Sequence, residues 1–373
     1  MTLRALGGLV EIVRGDERIK VDGEKSLEAL DVVITDGKGS AKLRLEGDRS
    51  LDLSADSRLT VIDGWSVEGE KGNLLAHANS DPLSVRFGEV TAAATDAVFR
   101  VDQGIVSSRA AAYQGQIELG VPGEPRMQLD PYYEAEVAGG IDLPSSTSPY
   151  SLNSRDAWDR KHFRHVVDLQ SRLQNLDQDL TSFVGKARPG LSFFEQLAAQ
   201  PVGFVAPEIK KRRAADLLTG FLIAQNTPKG SLKDQFRRAF RLFDEGAAWS
   251  VVAAIMQARI GQLVAELTDV VKVTRIAVKK SGGNEIVFAA PGGVVDESIS
   301  GPGGPGSTIG PSTKPTTGPT KKPTAGPKPT NSPSPECDNT AECAVNEVLG
   351  DDPSPDPSPS SSAKGGVLKD VPG

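Results

Sequence analysis

The chain has 373 residues, 38% of them hydrophobic and 24% charged, and its formal net charge is −7. That acidic balance argues against a dedicated nucleic-acid binder, which carries a basic surplus, and no run reaches the ~18 apolar residues needed to cross a bilayer. At roughly 100–200 residues per domain, the length suggests two domains and a tail.

From Gly7 to Asp142 the pattern is β. Apolar and polar residues alternate along Ala41-Lys42-Leu43-Arg44-Leu45-Glu46, as in a strand with one buried face. The alternation resumes at Leu51 and Leu53 after a turn at Gly47-Asp48, and again at Leu59 and Val61. Val10/Ile12, Ile19/Val21, Leu83/Val85/Phe87, Phe99/Val101 and Ile117/Leu119 repeat it, with turns at Asp22-Gly23, Asp36-Gly37 and Pro122-Gly123. Many short strands at this spacing predict an all-β domain over 7–142, a sandwich or a short β-solenoid.

Pro144 to Leu152 reads as a Ser/Pro linker, after which the period changes. Residues 153–268 form a predicted helical hairpin or bundle. Asn153 or Ser154 can cap its first helix, with Asp156 in the first turn. Val166, Leu169, Leu173, Leu176, Leu180 and Phe183 then follow at spacings of three and four, an a/d seam. Such a seam needs a partner, either another helix of the chain or a second copy, so self-association through Val166–Phe183 is an expectation. Pro189-Gly190 breaks this helix, Pro207 suits a first helical turn, and Ser231 with Asp234 resembles a capping box. Phe236, Phe240, Phe243, Ala247, Val251 and Ile255 predict one face of a long helix reaching about Leu267. Val270–Val278 and Glu285–Phe288 read as a β-hairpin within 269–289, turning at Gly282-Gly283. From 290 to 373 the chain is rich in Pro, Gly, Ser and Thr, has no aromatic residue, and predicts a disordered tail.

Few residues suggest chemistry. His162 and His165 lie three apart beside Asp159 and Asp168, but two imidazoles fall short of a metal site without a third ligand. An exposed face among Arg160, Lys161 and Arg164 is the plainer reading. His77 sits in Leu74-Leu75-Ala76-His77 with no nucleophile motif beside it, and Gly-x-Ser-x-Gly is absent. Gly301-Pro302-Gly303-Gly304-Pro305-Gly306 lacks the Gly-Lys-Ser/Thr of a phosphate loop. Lys210-Lys211-Arg212-Arg213 is a compact basic run, with Arg237, Arg238 and Arg241 downstream; both read as solvated helix faces in an acidic chain, and Phe221, Phe236 and Phe240 as core. Cys337 and Cys343, the two cysteines, suggest a small disulfide loop in an oxidising compartment, with two free thiols as the cytoplasmic alternative. No catalytic, cofactor or metal residues are assigned.

The run Leu30-Asp31-Val32-Val33-Ile34-Thr35-Asp36-Gly37-Lys38-Gly39-Ser40-Ala41-Lys42-Leu43-Arg44-Leu45 resembles the FecR domain family. The Gly47–Ser57 turn and strand, the opening Gly8-Leu9-Val10-Glu11-Ile12 and the later Phe99-Arg100-Val101 fit as well, so the resemblance covers roughly 7–140. Leu30-Asp31 stands where the family has Gly-Asp, and Asp96-Ala97 where it has Gly-Thr, which marks a diverged member. The resemblance implies a non-catalytic, extracytoplasmic β domain that binds a protein or envelope ligand and relays a signal, often toward a sigma-factor system. Such proteins commonly carry a membrane helix ahead of the domain. Here the β pattern starts within a few residues of Met1 and Met1–Leu6 is no secretory signal. The expectation is therefore either a start further upstream or a protein without an anchor; taken literally, the chain is cytoplasmic. Two other readings stand beside this one: a structural cell-wall or polysaccharide adaptor with the tail as spacer, and a cytoplasmic regulator whose basic helix binds nucleic acid.

Overall fold

The computed structural model describes residues 1–104, 106–139, 142–184, 188–280, 288 and 291. The chain divides into units 1–304 and 305–373, and every described residue belongs to the first.

The described strands are β1 (Thr2–Gly7), β2 (Val10–Arg14), β3 (Glu17–Lys20), β4 (Glu24–Ser26), β5 (Val32–Thr35), β6 (Ser40–Arg44), β7 (Arg49–Leu53), β8 (Arg58–Val61), β9 (Ser66–Ala78), β10 (Leu83–Phe87), β11 (Val90–Ala94), β12 (Ala97–Gln103), β13 (Ser107–Gln114), β14 (Ile117–Gly120), β15 (Met127–Leu129), β16 (Tyr133–Ala138) and β17 (Ser148–Pro149). They pair into two sheets. The first runs β4-β1-β6-β7-β9-β12-β13-β16-β17. The second runs β3-β2-β5-β8-β9-β10-β11-β14-β15. All pairs are antiparallel except β9 with β10.

Strand β9 belongs to both sheets. Its first half pairs β8 and β10, and its second half, from Gly72, pairs β7 and β12. Apart from β4 and β3, which lie outside β1 and β2 at one end of each sheet, chain order is kept along both sheets, so the chain rolls forward through a two-layer sandwich. Alternation sends one face of most strands inward, the short β3 and β4 having no buried residue. Leu43, Leu51 and Phe99 from the first sheet meet Val33, Val85 and Phe87 from the second, all at 0% exposure.

The residues that carry the sequence resemblance build this scaffold. Buried Asp31 accepts from Arg14 Nε at 2.8 Å and Nη2 at 2.7 Å, and from the Glu28 N–H at 2.8 Å. Thr35 Oγ1 donates to the Ser54 carbonyl at 2.7 Å and accepts from the Ser57 N–H at 2.9 Å. At Gly39 a Cβ would lie 2.7 Å from the Leu9 carbonyl oxygen and 2.8 Å from the Asp36 nitrogen, so the turn admits no side chain.

The helices are α1 (Ala157–His162), α2 (Arg164–Val184), α3 (Leu191–Ala198), α4 (Ala206–Ile209), α5 (Ala214–Gln225), α6 (Leu232–Asp244), α7 (Trp249–Ile255) and α8 (Ile260–Lys280). Helix α5 is buried on nearly all sides and forms the centre of the helical layer. Phe193, Phe194, Phe221, Phe236, Phe240 and Trp249 line that core through successive aromatic contacts. The helices cover the outer face of the first sheet, where Leu75, Val98, Ala111 and Tyr113 join the helical core.

Several sequence expectations change. The α2 seam is internal: Val166, Leu169, Leu173 and Leu180 are buried in the helical core, and α2 packs on α5, α7 and α8. The side chain of Phe183, which ends the predicted seam, lies outside the described residues. The buried seam residues pack against other helices of this chain, so Leu173→Ala should cost about 2–4 kcal/mol of stability in a denaturant melt. Its sedimentation coefficient should match the parent protein's. Ser148–Pro149 of the expected linker adds to the first sheet, and Tyr150 is buried at 1%. The helix begins at Asp156, which caps it, and not at Asn153 or Ser154. The predicted long helix is three, interrupted where Gly246 and Gln257 adopt positive φ. Val270–Val278 lie in α8 and not in a strand. Residues 285–287 of that hairpin, the Cys337/Cys343 pair and all of the 290–373 tail but Pro291 lie outside the described residues.

Candidate functional site

Charged residues also point outward from the first sheet, toward the helices. Alternation along β12 and β13 turns Arg100, Asp102, Arg109 and Tyr113 to that side, because Phe99, Val101, Ala110 and Ala112 fill the sandwich. Strand β16 adds Glu134, and α1 brings Asp156 and Asp159. These seven side chains, with Tyr150, form one network between sandwich and helices, buried at Arg100, Tyr113, Glu134, Tyr150 and Asp159 and partly buried at Asp102, Arg109 and Asp156.

Asp159 is its centre and is 0% exposed. Its Oδ1 accepts from the Tyr113 hydroxyl and, at 2.7 Å, from the Tyr150 hydroxyl; its Oδ2 accepts from the Asn153 N–H at 2.8 Å. Arg100 Nη1 stands 3.8 Å away and donates to Asp156 Oδ2 at 3.0 Å, while Arg100 Nε donates to Asp102 Oδ1 at 2.5 Å. Asp156 also caps α1, with its Oδ1 accepting from the N–H groups of Trp158 and Asp159. Arg109 bridges Asp102 and Glu134, and Ser151 Oγ donates to Glu134 at 2.8 Å. The guanidinium of Arg100 lies over the Trp158 ring, and that of Arg109 over Tyr150.

The electrostatics follow from this packing. Burial alone would lower the Arg100 pKa, but Asp102 and the Tyr113 hydroxyl outweigh it and the group sits above its ordinary value. Burial would raise Asp156, yet Arg100 and the two capping N–H groups hold it below the usual carboxylate range. Burial, with Asp159 adding to it, raises both Tyr113 and Tyr150. Buried charge of this kind is tolerable because each group has a partner.

A second cluster adjoins it. His77 on β9 and His162 on α1 face each other with ring centroids 5.5 Å apart, and His77 Nε2 lies 3.4 Å from Asp52 Oδ2. Among the described residues His162 Nε2 has no hydrogen-bond partner. Burial, His77 and Lys161 push His162 down to about 4 from 6.5. Beside both clusters an open cleft of about 340 Å³ is lined by Ser54, Asp52, Asn73, Arg100, Asp156 and Trp158, with the exposed Leu6 at its rim.

No protein-family model and no curated protein matches the chain. Among solved structures it is similar to two crystal structures of candidate anti-sigma factors from Parabacteroides distasonis, each at 17% identity, with TM-scores of 0.30 and 0.28. Each likeness covers 34% of this chain, and 63% and 62% of the other chain, so it spans less than two thirds of those proteins.

His162 and His165 do not converge on one site. Phe163 separates α1 from α2, so His162 faces the sheet while His165 Nε2 lies 3.2 Å from the Tyr132 hydroxyl. Among the described residues no three His, Cys, Asp or Glu side chains are grouped to hold a metal. The basic run is occupied: Arg212 pairs with Glu208 and with both oxygens of Asp244, Arg213 pairs with Asp216, and Lys211 lies 3.6 Å from Glu208.

The histidine cluster predicts acid sensitivity. An unfolded chain protonates His162 near pH 6.5, whereas the folded chain resists until about 4. The unfolded state therefore binds more protons as pH falls through that window, and stability declines from about pH 6.5 to about pH 4. With His162 half-buried, the loss should be about 1–2 kcal/mol after allowing for solvent screening. Denaturant midpoints at stepped pH should show the slope in the parent and a flatter profile in His162→Gln. Loss of Asp52 and Asp156, both held below the usual range, should add a further decline only at lower pH.

Proposed function

We propose that the chain is a non-catalytic, FecR-like binding protein with a signalling role at the cell envelope. The observation that supports this most is the destination of its buried and partly buried polar groups. Arg100, Asp102, Arg109, Glu134, Asp156 and Asp159 bond to one another and join the sandwich to the helices, leaving no activated nucleophile beside a base among them. The motif residues Asp31, Thr35 and Gly39 likewise hold turns. What remains for function is surface, which suits recognition of a protein partner. The spacing of Cys337 and Cys343 and the Pro/Thr-rich tail favour the envelope.

The test joins location to binding. Intact cells are cross-linked and fractionated, and Cys337 and Cys343 are alkylated with and without reductant. A discrete protein adduct in the envelope fraction, with thiols that react only after reduction, is the expected result. A cytoplasmic protein with free thiols overturns the envelope reading. Retention on purified cell wall without any protein adduct would favour a wall adaptor instead.

A further inference from the structure

The net charge of −7 hides a strong separation. Residues 153–280 hold 21 Lys and Arg against 13 Asp and Glu, a surplus of +8, while residues 1–152 hold 15 against 25, a deficit of −10. Most cations of the Lys210–Arg213 run are neutralised by carboxylates of the chain itself. Those of α6 are less so, Arg241 alone among the described ones having a carboxylate within 4 Å. Lys233, Arg237 and Arg241 stand at i, i+4 and i+8 and are exposed, a row of about 12 Å along one edge of the helix. Among the described residues the side chains of Lys233 and Arg237 have no partner, and Arg241 has only Glu245 at 3.9 Å.

The carboxylates that could quench this row are engaged elsewhere. Asp234 accepts from Ser231 at the helix N-cap, and Asp244 is held by both terminal nitrogens of Arg212. Lys233 also stands in the first turn of α6, where a positive charge opposes the helix dipole. A local choice that disfavours the fold is expected where another use requires it.

We infer that the Lys233–Arg237–Arg241 edge of α6 docks an acidic helix on a partner protein. Carboxylates at i, i+4 spacing repeat at the same interval of about 6 Å as the cations that face them. A membrane surface or a long nucleic acid fits less well. Phe236 and Phe240 are buried, so the edge offers neither an apolar face to insert nor a ring to stack on bases. The −10 portion lies in the same unit and would repel an extended polyanion, whereas a short acidic helix covers α6 alone. This inference rests on the reading of the chain as a protein-binding module and names the surface and the chemistry of the partner.

The test uses the purified full chain and a labelled Ala-rich helical peptide of about 16 residues with Glu at every fourth position. Fluorescence anisotropy should show binding that weakens steeply from about 50 to about 300 mM salt, and no binding of the Gln counterpart. Lys233→Glu/Arg237→Glu/Arg241→Glu should weaken binding on the order of tenfold or more with an unchanged melting curve; Arg237→Glu alone serves if the triple variant unfolds. Equal binding by the variant, or none by the parent, overturns the α6 assignment. Neither result touches the binding-module reading, which stands or falls on the cross-linked adduct in cells. Tighter binding to duplex DNA or to phosphatidylglycerol vesicles than to the peptide would overturn the partner class.

Discussion

Asp159→Ala should destabilise the protein by about 3–5 kcal/mol, the range for breaking a buried, partnered charge. The carboxyl is 0% exposed and serves three donors: two tyrosine hydroxyls and the Asn153 N–H. Removing it leaves those donors in a site that water does not reach, and an unmade buried hydrogen bond costs about 1–3 kcal/mol. It also leaves Arg100 with less compensation, although Asp102 and Asp156 still hold its guanidinium. Asp159→Asn should cost less, about 1–3 kcal/mol. The amide oxygen can still accept from Tyr113 and Tyr150, but the NH2 would then face the Asn153 N–H, donor against donor. Urea titrations of the three proteins decide this. Equal midpoints for Ala and Asn would mean that the hydroxyl bonds contribute little and that the Asn153 contact dominates. Tyr150→Phe in the Asp159→Ala background should add less than it does alone, because the two share one bond.

How much of the fold is legible in the sequence depends on how each strand is buried. Ala41–Leu45 and Leu83–Phe87 alternate cleanly because one face is wet. Strands β11 and β13 escape the pattern: their Ala-rich stretches Ala92-Ala93-Ala94 and Ala110-Ala111-Ala112 have low β propensity and no contrast. For β13 the reason is in the fold, since Ala110 and Ala112 face the sandwich while Ala111 faces the helices. In α8 the β-branched cluster Val270-Val271-Lys272-Val273-Thr274 suggests a strand. Its burial instead continues the helical row Leu263, Leu267, Val270, Val271 and Thr274 against α2. The apparent long helix after Ser231 has the opposite cause: α6, α7 and α8 line one core, so their apolar periods run together across breaks that only positive φ reveals.

The site is hidden for a different reason. Arg100, Tyr113 and Asp159 are 13 to 59 positions apart, and His77 and His162 meet only because α1 lies on the first sheet. Arg100 fills only the unspecified position of Phe99-Arg100-Val101 and the others sit in no motif, so their pairing is not readable without the registers of β9, β12 and β13. The one local sign is Arg100-Val101-Asp102, where the polar positions of a strand carry opposite charges on the same face. That sign is common on exposed strands, and only the helices laid over it make it a buried network.

Gly72→Val should be as severe as Asp159→Ala, about 3–5 kcal/mol, for a backbone reason. Strand β9 leaves one sheet and enters the other at this residue, which has φ of +97°. A β-branched residue there is strained by about 1–3 kcal/mol. Space is also lacking, since a Cβ would lie 2.3 Å from Ser57 Oγ and 2.5 Å from Ser57 Cα. Ser57 cannot move aside freely: its N–H bonds to Thr35, its carbonyl accepts from the Thr35 N–H, and its hydroxyl lies within 3.3 Å of the Asn73 carbonyl. Overpacking of that kind adds about 1–3 kcal/mol. Gly72→Ala should meet the same clash with less strain in its side chain and lose somewhat less. Ser57→Gly in the Gly72→Ala background should recover part of the loss, because it removes Oγ but not the backbone atom. Recovery in a thermal melt would place the fault at this crossing; no recovery would mean that positive φ alone sets the cost. Because the crossing joins the two sheets at their centre, a break there should lower the cooperativity of unfolding as well as its midpoint.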